Sequence, residues 1–188
     1  MLTRLLDNWV YATPPVAFLL VGLYPFMDSA IMLPLFLALP VYMVHQFEEH
    51  DDNRFIKFFN RTMGAGKGGL SAAGVWIINV IFVWFFLLAV FYVASLRSSL
   101  GVLAAYLLLI NGLLHVGWAL LFRRYNPGLW TAILLFIPLS FWIYATIPSS
   151  LSIHVISAIV VIVLHAAIMV MTKRSSNEKQ TDNMGATK

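Results

Sequence analysis

Apolar residues fill this chain in six long runs, and polar residues gather between them. The runs are Trp9–Tyr24, Ser29–Glu49, Leu70–Ser95, Leu100–Phe122, Leu129–Ile147 and Leu151–Thr172. A helix of about 20 apolar residues crosses the ~30 Å hydrocarbon layer of a bilayer. The pattern therefore predicts an all-α membrane protein, a six-transmembrane-helix bundle. Pro40 predicts a kink in the second span, because it removes one backbone bond and crowds the preceding turn; Pro138 predicts a bend in the fifth. Between the second and third spans, Phe55, Ile56, Phe58 and Phe59 alternate with Arg54, Lys57 and Arg61. That alternation predicts a short helix lying in the membrane interface. Arg123-Arg124-Tyr125-Asn126-Pro127-Gly128 predicts a tight turn between the fourth and fifth spans. Residues 1–172 form a single transmembrane domain on this reading, and the polar, mixed-charge segment 173–188 a disordered tail.

Composition confirms the class. Of 188 residues 61% are hydrophobic and 11% charged, with mean hydropathy +0.85. Soluble domains carry about a quarter charged residues. There is no cysteine, which excludes disulfides, thiolate metal sites and cysteine nucleophiles. The net charge of +4 is not a nucleic-acid signal, because the basic residues sit in loops and the tail. Placing both termini in the cytoplasm puts eleven of the twelve Lys and Arg residues on that side, with Arg97 alone outside. The positive-inside rule then predicts an N-in/C-in topology, in keeping with a bacterial inner (plasma) membrane. A cleaved signal peptide fits poorly: the basic region ahead of the first run is Arg4 alone, and a cut near Ala30 would place Asp28 at the minus-three position. Met63–Gly69 has glycines and Lys67, but lacks the first Gly and the Ser/Thr of a phosphate loop. It reads as a linker.

The candidate chemistry lies at the end of the second run, in His45-Gln46-Phe47-Glu48-Glu49-His50. At about 100° per residue His45 and Glu49 share a helix face, with Glu48 beside them. Carboxylates at a helix C-terminus oppose the macrodipole, and at the edge of hydrocarbon they are costly unless paired or functional. The topology gives the other polar residues a depth. His115 and His165 each lie eight residues inside a cytoplasmic loop, about 12 Å deep at ~1.5 Å per residue. Asn79, and Asn111 one turn beyond His115, fall in the same layer. His154 lies roughly 16 Å further out than His165 and is excluded from the site. Asp28 reads as a solvated cap.

His45-Gln46-Phe47-Glu48-Glu49, with Asn79, Asn111-Gly112-Leu113-Leu114-His115 and Tyr125-Asn126-Pro127-Gly128, resembles the HXXEE membrane family over roughly residues 35–170. The family has no assigned activity, so the resemblance implies a shared site and not a reaction.

Imidazole and carboxylate without thiolate suit zinc, iron, manganese or nickel. Helical zinc motifs bind metal through residues i and i+4, with the Glu at i+3 as base. The expected metal ligands are His45, Glu49, His115 and His165, the expected base is Glu48, and Asn79 and Asn111 would orient a ligand or stabilise an oxyanion. A divalent ion, zinc first and iron second, would serve a hydrolase acting on a lipid-like or hydrophobic substrate. The expected partners are membrane lipids and that substrate. Two further classes use the same groups: metal-free acid/base catalysis on an isoprenoid-like molecule, and a small transporter or proton relay.

Overall fold

The computed structural model describes residues 6, 8–27, 29–62 and 70–185, with side chains as far as Val170. The expectations for Asp28 and for the linker at 63–69 lie outside those residues. Every element among the described residues is helical. Five segments are long and apolar enough to cross a membrane: Trp9–Phe26, Ala72–Leu96, Ser98–Phe122, Leu129–Thr146 and Leu151–Val170.

The remaining expected span, 29–49, is not a single continuous helix. It forms α2 (Met32–Phe36) and α3 (Ala38–His50), separated by a turn at Leu37, after α1 (Thr13–Val21). Pro40 has no N–H to offer the carbonyl of Phe36, so the ladder breaks there. It resumes where Val41 N–H donates to the Leu37 carbonyl at 3.0 Å. The kink expected from Pro40 is thus an interruption one turn ahead of it. Pro14 and Pro15 open α1, where a missing N–H costs nothing, and α1 packs along α3.

Next comes α4 (Arg54–Thr62), the short helix the Phe/basic alternation predicts. Its Phe55, Phe58 and Phe59 rings lie 6.0–6.5 Å from Trp118, while Lys57 and Arg61 are exposed. The link into it bends through Asp52 and Asn53, both in the left-handed region that Asp and Asn tolerate. Lys57 donates to Asp52 at 2.8 Å and holds that carboxyl below its ordinary range.

Four long helices complete the bundle: α5 (Ala72–Leu96), α6 (Val102–Phe122), α7 (Leu129–Thr146) and α8 (Leu151–Gly185). The hydroxyl of Ser71 caps α5, accepting from Gly74 N–H at 3.2 Å. α5 widens into a π-helical stretch at Ile77–Trp84, and α7 does so at Ala132–Phe136, just ahead of Pro138. The bend expected at Pro138 has this form, because proline cannot donate into the turn before it. α6 is central, and its Val102, Ala104, Ala105 and Leu108 are fully buried. Small residues let its neighbours approach: a Cβ at Gly112 would lie 3.3 Å from Ile137 Cγ1. The backbone of α8 continues to Gly185, through most of the segment whose polarity marks it as a tail; no Pro or Gly interrupts residues 151–184. α8 packs on α6 and leaves a gap towards α5.

Candidate metal centre

The second and fourth hydrophobic runs bring an acid and two imidazoles together in the interior. His45 and Glu49, one turn apart on α3, face His115 of α6, and all three are buried. One ligand atom from each lies within 4.8 Å of the others, so the group can hold a metal ion. The Glu49 carboxylate is the hub. Its Oε1 is 3.5 Å from His115 Nε2, and its Oε2 is 3.6 Å from His45 Nε2.

The neighbours of the two imidazoles fix which nitrogen carries the proton. Thr131 Oγ1 donates its single hydrogen to Glu48 Oε2 at 2.6 Å, so towards His45 Nδ1, 2.8 Å away, it accepts. His45 is therefore protonated on Nδ1 and, when neutral, turns a bare Nε2 towards Glu49. Asn126 repeats this logic at His115. Its Nδ2 donates to the His115 carbonyl at 2.9 Å, which leaves Oδ1 to accept from His115 Nδ1 at 2.7 Å. When neutral, both rings thus present Nε2 lone pairs to a carboxylate. Without a cation, acceptors face acceptors, and His45 Nε2 is buried with no hydrogen-bond partner. Outer hydrogen bonds of this kind set tautomer and orientation in metal-bound histidines.

A second relay reaches Glu49 from the other side. Trp84 Nε1 donates to Gln46 Oε1 at 2.8 Å, and Gln46 Nε2 donates to Asn79 Oδ1 at 3.1 Å. Asn79 Nδ2 then faces both the Val75 carbonyl, 2.9 Å away, and His50 Nε2, 3.2 Å away. His50 Nε2 lies 3.0 Å from Glu49 Oε2. Asn79 sits within the π-helical stretch of α5, where the widened turn carries a polar side chain into the interior.

Glu48 points elsewhere than the expected base position. Its carboxylate covers the N-terminus of α7, accepting from the N–H groups of Trp130 (3.1 Å) and Thr131 (2.7 Å) and from the Thr131 hydroxyl. An anion there is favoured by the helix dipole. The Tyr125 phenol adds a bond at 2.8 Å; burial first, and then Glu48, push its pKa up to about 12, so it remains a donor. Glu48 is linked to His45 through the Thr131 hydroxyl, which lies between them.

The loop ahead of α7 closes over both imidazoles. Gly128 has φ +93°, and a Cβ on it would lie 2.7 Å from His115 Cε1 and 2.8 Å from His45 Cε1. Rings complete the enclosure: Phe136 lies 4.1 Å from His45, Trp118 5.9 Å from His115, and Trp9 5.6 Å from His50. On one side the group opens into a cavity of about 660 Å³ between α5, α6 and α8.

Asn79 and Asn111 line this cavity as their depth suggests, and so does His165. His165, however, is not part of the three-residue group. Its Nδ1 contacts the Val161 carbonyl on its own helix at 2.9 Å, across the gap that separates α8 from α5. Depth along a helix fixes how far in a residue lies, and not how close its helix stands. His154 belongs to a separate cluster with Tyr106 and Tyr144. Sequence reasoning missed His50, Thr131, Asn126 and Gly128 as parts of the site. The signal for the last two was their place in the Tyr125–Gly128 turn, one of the elements that carry the family resemblance, though no role at the site was assigned to them.

The donor set fits a metal. Two imidazoles and one carboxylate are the protein ligands of catalytic zinc sites and of non-haem iron sites. Each imidazole Nε2 lies close to one oxygen of Glu49, His115 at 3.5 Å from Oε1 and His45 at 3.6 Å from Oε2, within the reach of a shared ion. Residues 36–143 match a protein-family model described as "Protein of unknown function with HXXEE motif". Comparison with curated proteins and with solved structures returns no match.

Proposed function

Since this chain belongs to the HXXEE family, we propose that the shared motif builds a membrane-embedded, metal-dependent enzyme, and that its reaction is hydrolysis of a hydrophobic substrate. The observation that carries this is the convergence of two tautomer-fixed Nε2 lone pairs on Glu49 at the polar end of an apolar cavity. His45, Glu49 and His115 would hold the ion, with zinc the best match to a three-ligand set that leaves one position open. When bound, the metal supplies Lewis acidity at the reacting carbonyl. The chain's own residues do the rest. Thr131 and Asn126 hold the imidazoles in the ligating tautomer. His50 sets its Nε2 3.0 Å from Glu49 Oε2 and against the Asn79 amide. Asn79 and Asn111 present amides to the cavity, and Phe136, Trp118 and Gly128 exclude water.

The broken segment α2–α3 completes a sixth crossing on this reading, with both termini cytoplasmic, α4 in the interface and the site in the inner leaflet. The supporting observation is the eleven-to-one division of basic residues.

Elemental analysis of the purified protein, paired with hydrolysis of hydrophobic esters before and after chelation, tests the proposal. About one zinc per chain and chelator-sensitive turnover are expected. Well-folded protein that purifies without metal and takes none up would overturn it and leave metal-free acid/base chemistry. Stoichiometric iron in place of zinc would redirect the proposal to oxidation.

A further inference from the structure

The cavity beside the metal centre is built asymmetrically. One end carries Glu49, His50, His115, Asn79, Asn111 and Tyr42. Apart from His165, the remainder is hydrocarbon and aromatic, contributed by α4, α5, α6 and α8. Its rim includes Phe82, Phe85, Leu164 and Met169, all exposed on the outer surface of the bundle. In a bilayer those side chains meet lipid, so the gap between α5 and α8 is a sideways mouth.

Charge narrows what enters. No Lys or Arg lines the cavity among the described residues, and the one ionisable acid at its polar end is Glu49. With no ion at the site, a phosphate or carboxylate head would be buried against Glu49 with no Lys or Arg to offset it, at a cost of several kcal/mol. A neutral head carries no such penalty. Asn111 adds a specific demand. Its Nδ2 reaches the Tyr42 hydroxyl at 3.4 Å, but its Oδ1 is buried with no partner. A buried acceptor left unmade is costly, and a hydroxyl head satisfies it.

We infer that the cavity binds a single-chain amphiphile with a small, neutral, hydroxyl-bearing head, which enters sideways from the bilayer between α5 and α8 and donates its O–H to Asn111. This deepens the proposed function by naming its substrate class, and it rests on that reading only for what happens to the head once bound. Occupation of the cavity does not itself require the ion.

The test uses the full-length protein in detergent micelles and a long-chain primary alcohol brominated at its tail, with the matching carboxylate and the matching hydrocarbon. Bromine quenches nearby indoles. Trp118 lines the cavity, and a Trp118→Phe variant isolates its share of the signal. In chelator-treated protein, saturable quenching of Trp118 by the alcohol is expected, at least tenfold tighter than by the carboxylate. Asn111→Leu should remove the advantage of the alcohol over the hydrocarbon, also about tenfold. Ala89→Phe, which fills the cavity, should abolish quenching by all three. His45→Ala protein, stripped of metal ligation, should still bind the alcohol; this separates failure of the metal centre from failure of the cavity. Absence of a Trp118-specific signal, equal or tighter binding of the carboxylate, or an unchanged alcohol preference in Asn111→Leu would overturn the inference.

Discussion

Replacing Gly128 by alanine should damage the metal centre more than the fold. The residue sits at φ +93°, ψ −8°, where an L side chain costs about 1–3 kcal/mol. The new Cβ would stand 2.7 Å from His115 Cε1 and 2.8 Å from His45 Cε1, against 3.4 Å or more for ordinary contact. Relief requires each ring to retreat by about 0.7 Å, and a ligand shell tolerates only ~0.5 Å. Neither ring can retreat freely, because Thr131 and Asn126 hold the Nδ1 sides and the tilted Phe136 ring lies 4.1 Å from that of His45. The expected result is a loss of metal affinity of about 10- to 100-fold, with a stability loss on the order of 2–3 kcal/mol. Competition with a fluorescent zinc chelator reads the first, and thermal unfolding in detergent the second. Gly117→Ala is the matched control, since its Cβ would meet nothing within 4 Å; it should be neutral or stabilising by about 0.5–1 kcal/mol. Gly128→Ala protein with wild-type metal affinity would refute the claim that this loop clamps the two imidazoles.

The other expectations concern ligation, capping, pH and topology. Glu49→Gln and His115→Ala should each reduce bound metal to a small fraction of one equivalent, whereas His165→Ala should retain it; elemental analysis of the three proteins decides. Glu48→Ala removes the anion on the N-terminus of α7 and should lower stability by about 1–2 kcal/mol, with Glu48→Gln intermediate, as read by thermal unfolding. If Glu48 acted mainly as a base, Glu48→Gln would instead retain both stability and metal while losing turnover. Protons compete with the metal for both imidazoles, so affinity should fall as pH drops, and titration with a pH-insensitive competitor will show the direction. Reporter fusions after Arg61 and after Lys188 should both report cytoplasm; opposite signals would remove the depth argument along with the topology.

Much of the helical layout was legible because hydrophobic run length is a direct consequence of bilayer thickness. The pairing of His45 with Glu49 was legible for an equally local reason, the helical repeat. His115 joined them because its depth and its helix face were both right. His165 satisfied the same depth rule and still stands apart, because nothing in a sequence gives the separation between α8 and α5. Glu48 was misleading in a different way. Its place in the motif resembles that of a base, but its partners come from residues 125–131, some eighty positions away. Those partners read as a turn, since Asn-Pro-Gly is turn chemistry wherever it occurs. That this turn is buried, with Asn126, Pro127 and Gly128 inside the protein, is a tertiary fact.

The dependence of the site on residues 126–131 has a consequence for biogenesis. His45 and Thr131 are 86 positions apart, so at ~5–20 residues per second the ribosome needs roughly 4–17 s to deliver the clamp after the histidine. Until α5 and α6 are made the acid and imidazoles of α3 lack Asn79 and His115, and until α7 is made they lack Thr131, so a helix carrying them is a poor substrate for insertion on its own. The break at Leu37 and the late arrival of α7 then act together. The polar half of the second segment can wait at the membrane surface until the hairpin of α6 and α7 draws it in. Metal capture would be the last step of assembly, and a nascent chain stalled before Thr131 would carry His45 and Glu49 without a stable site.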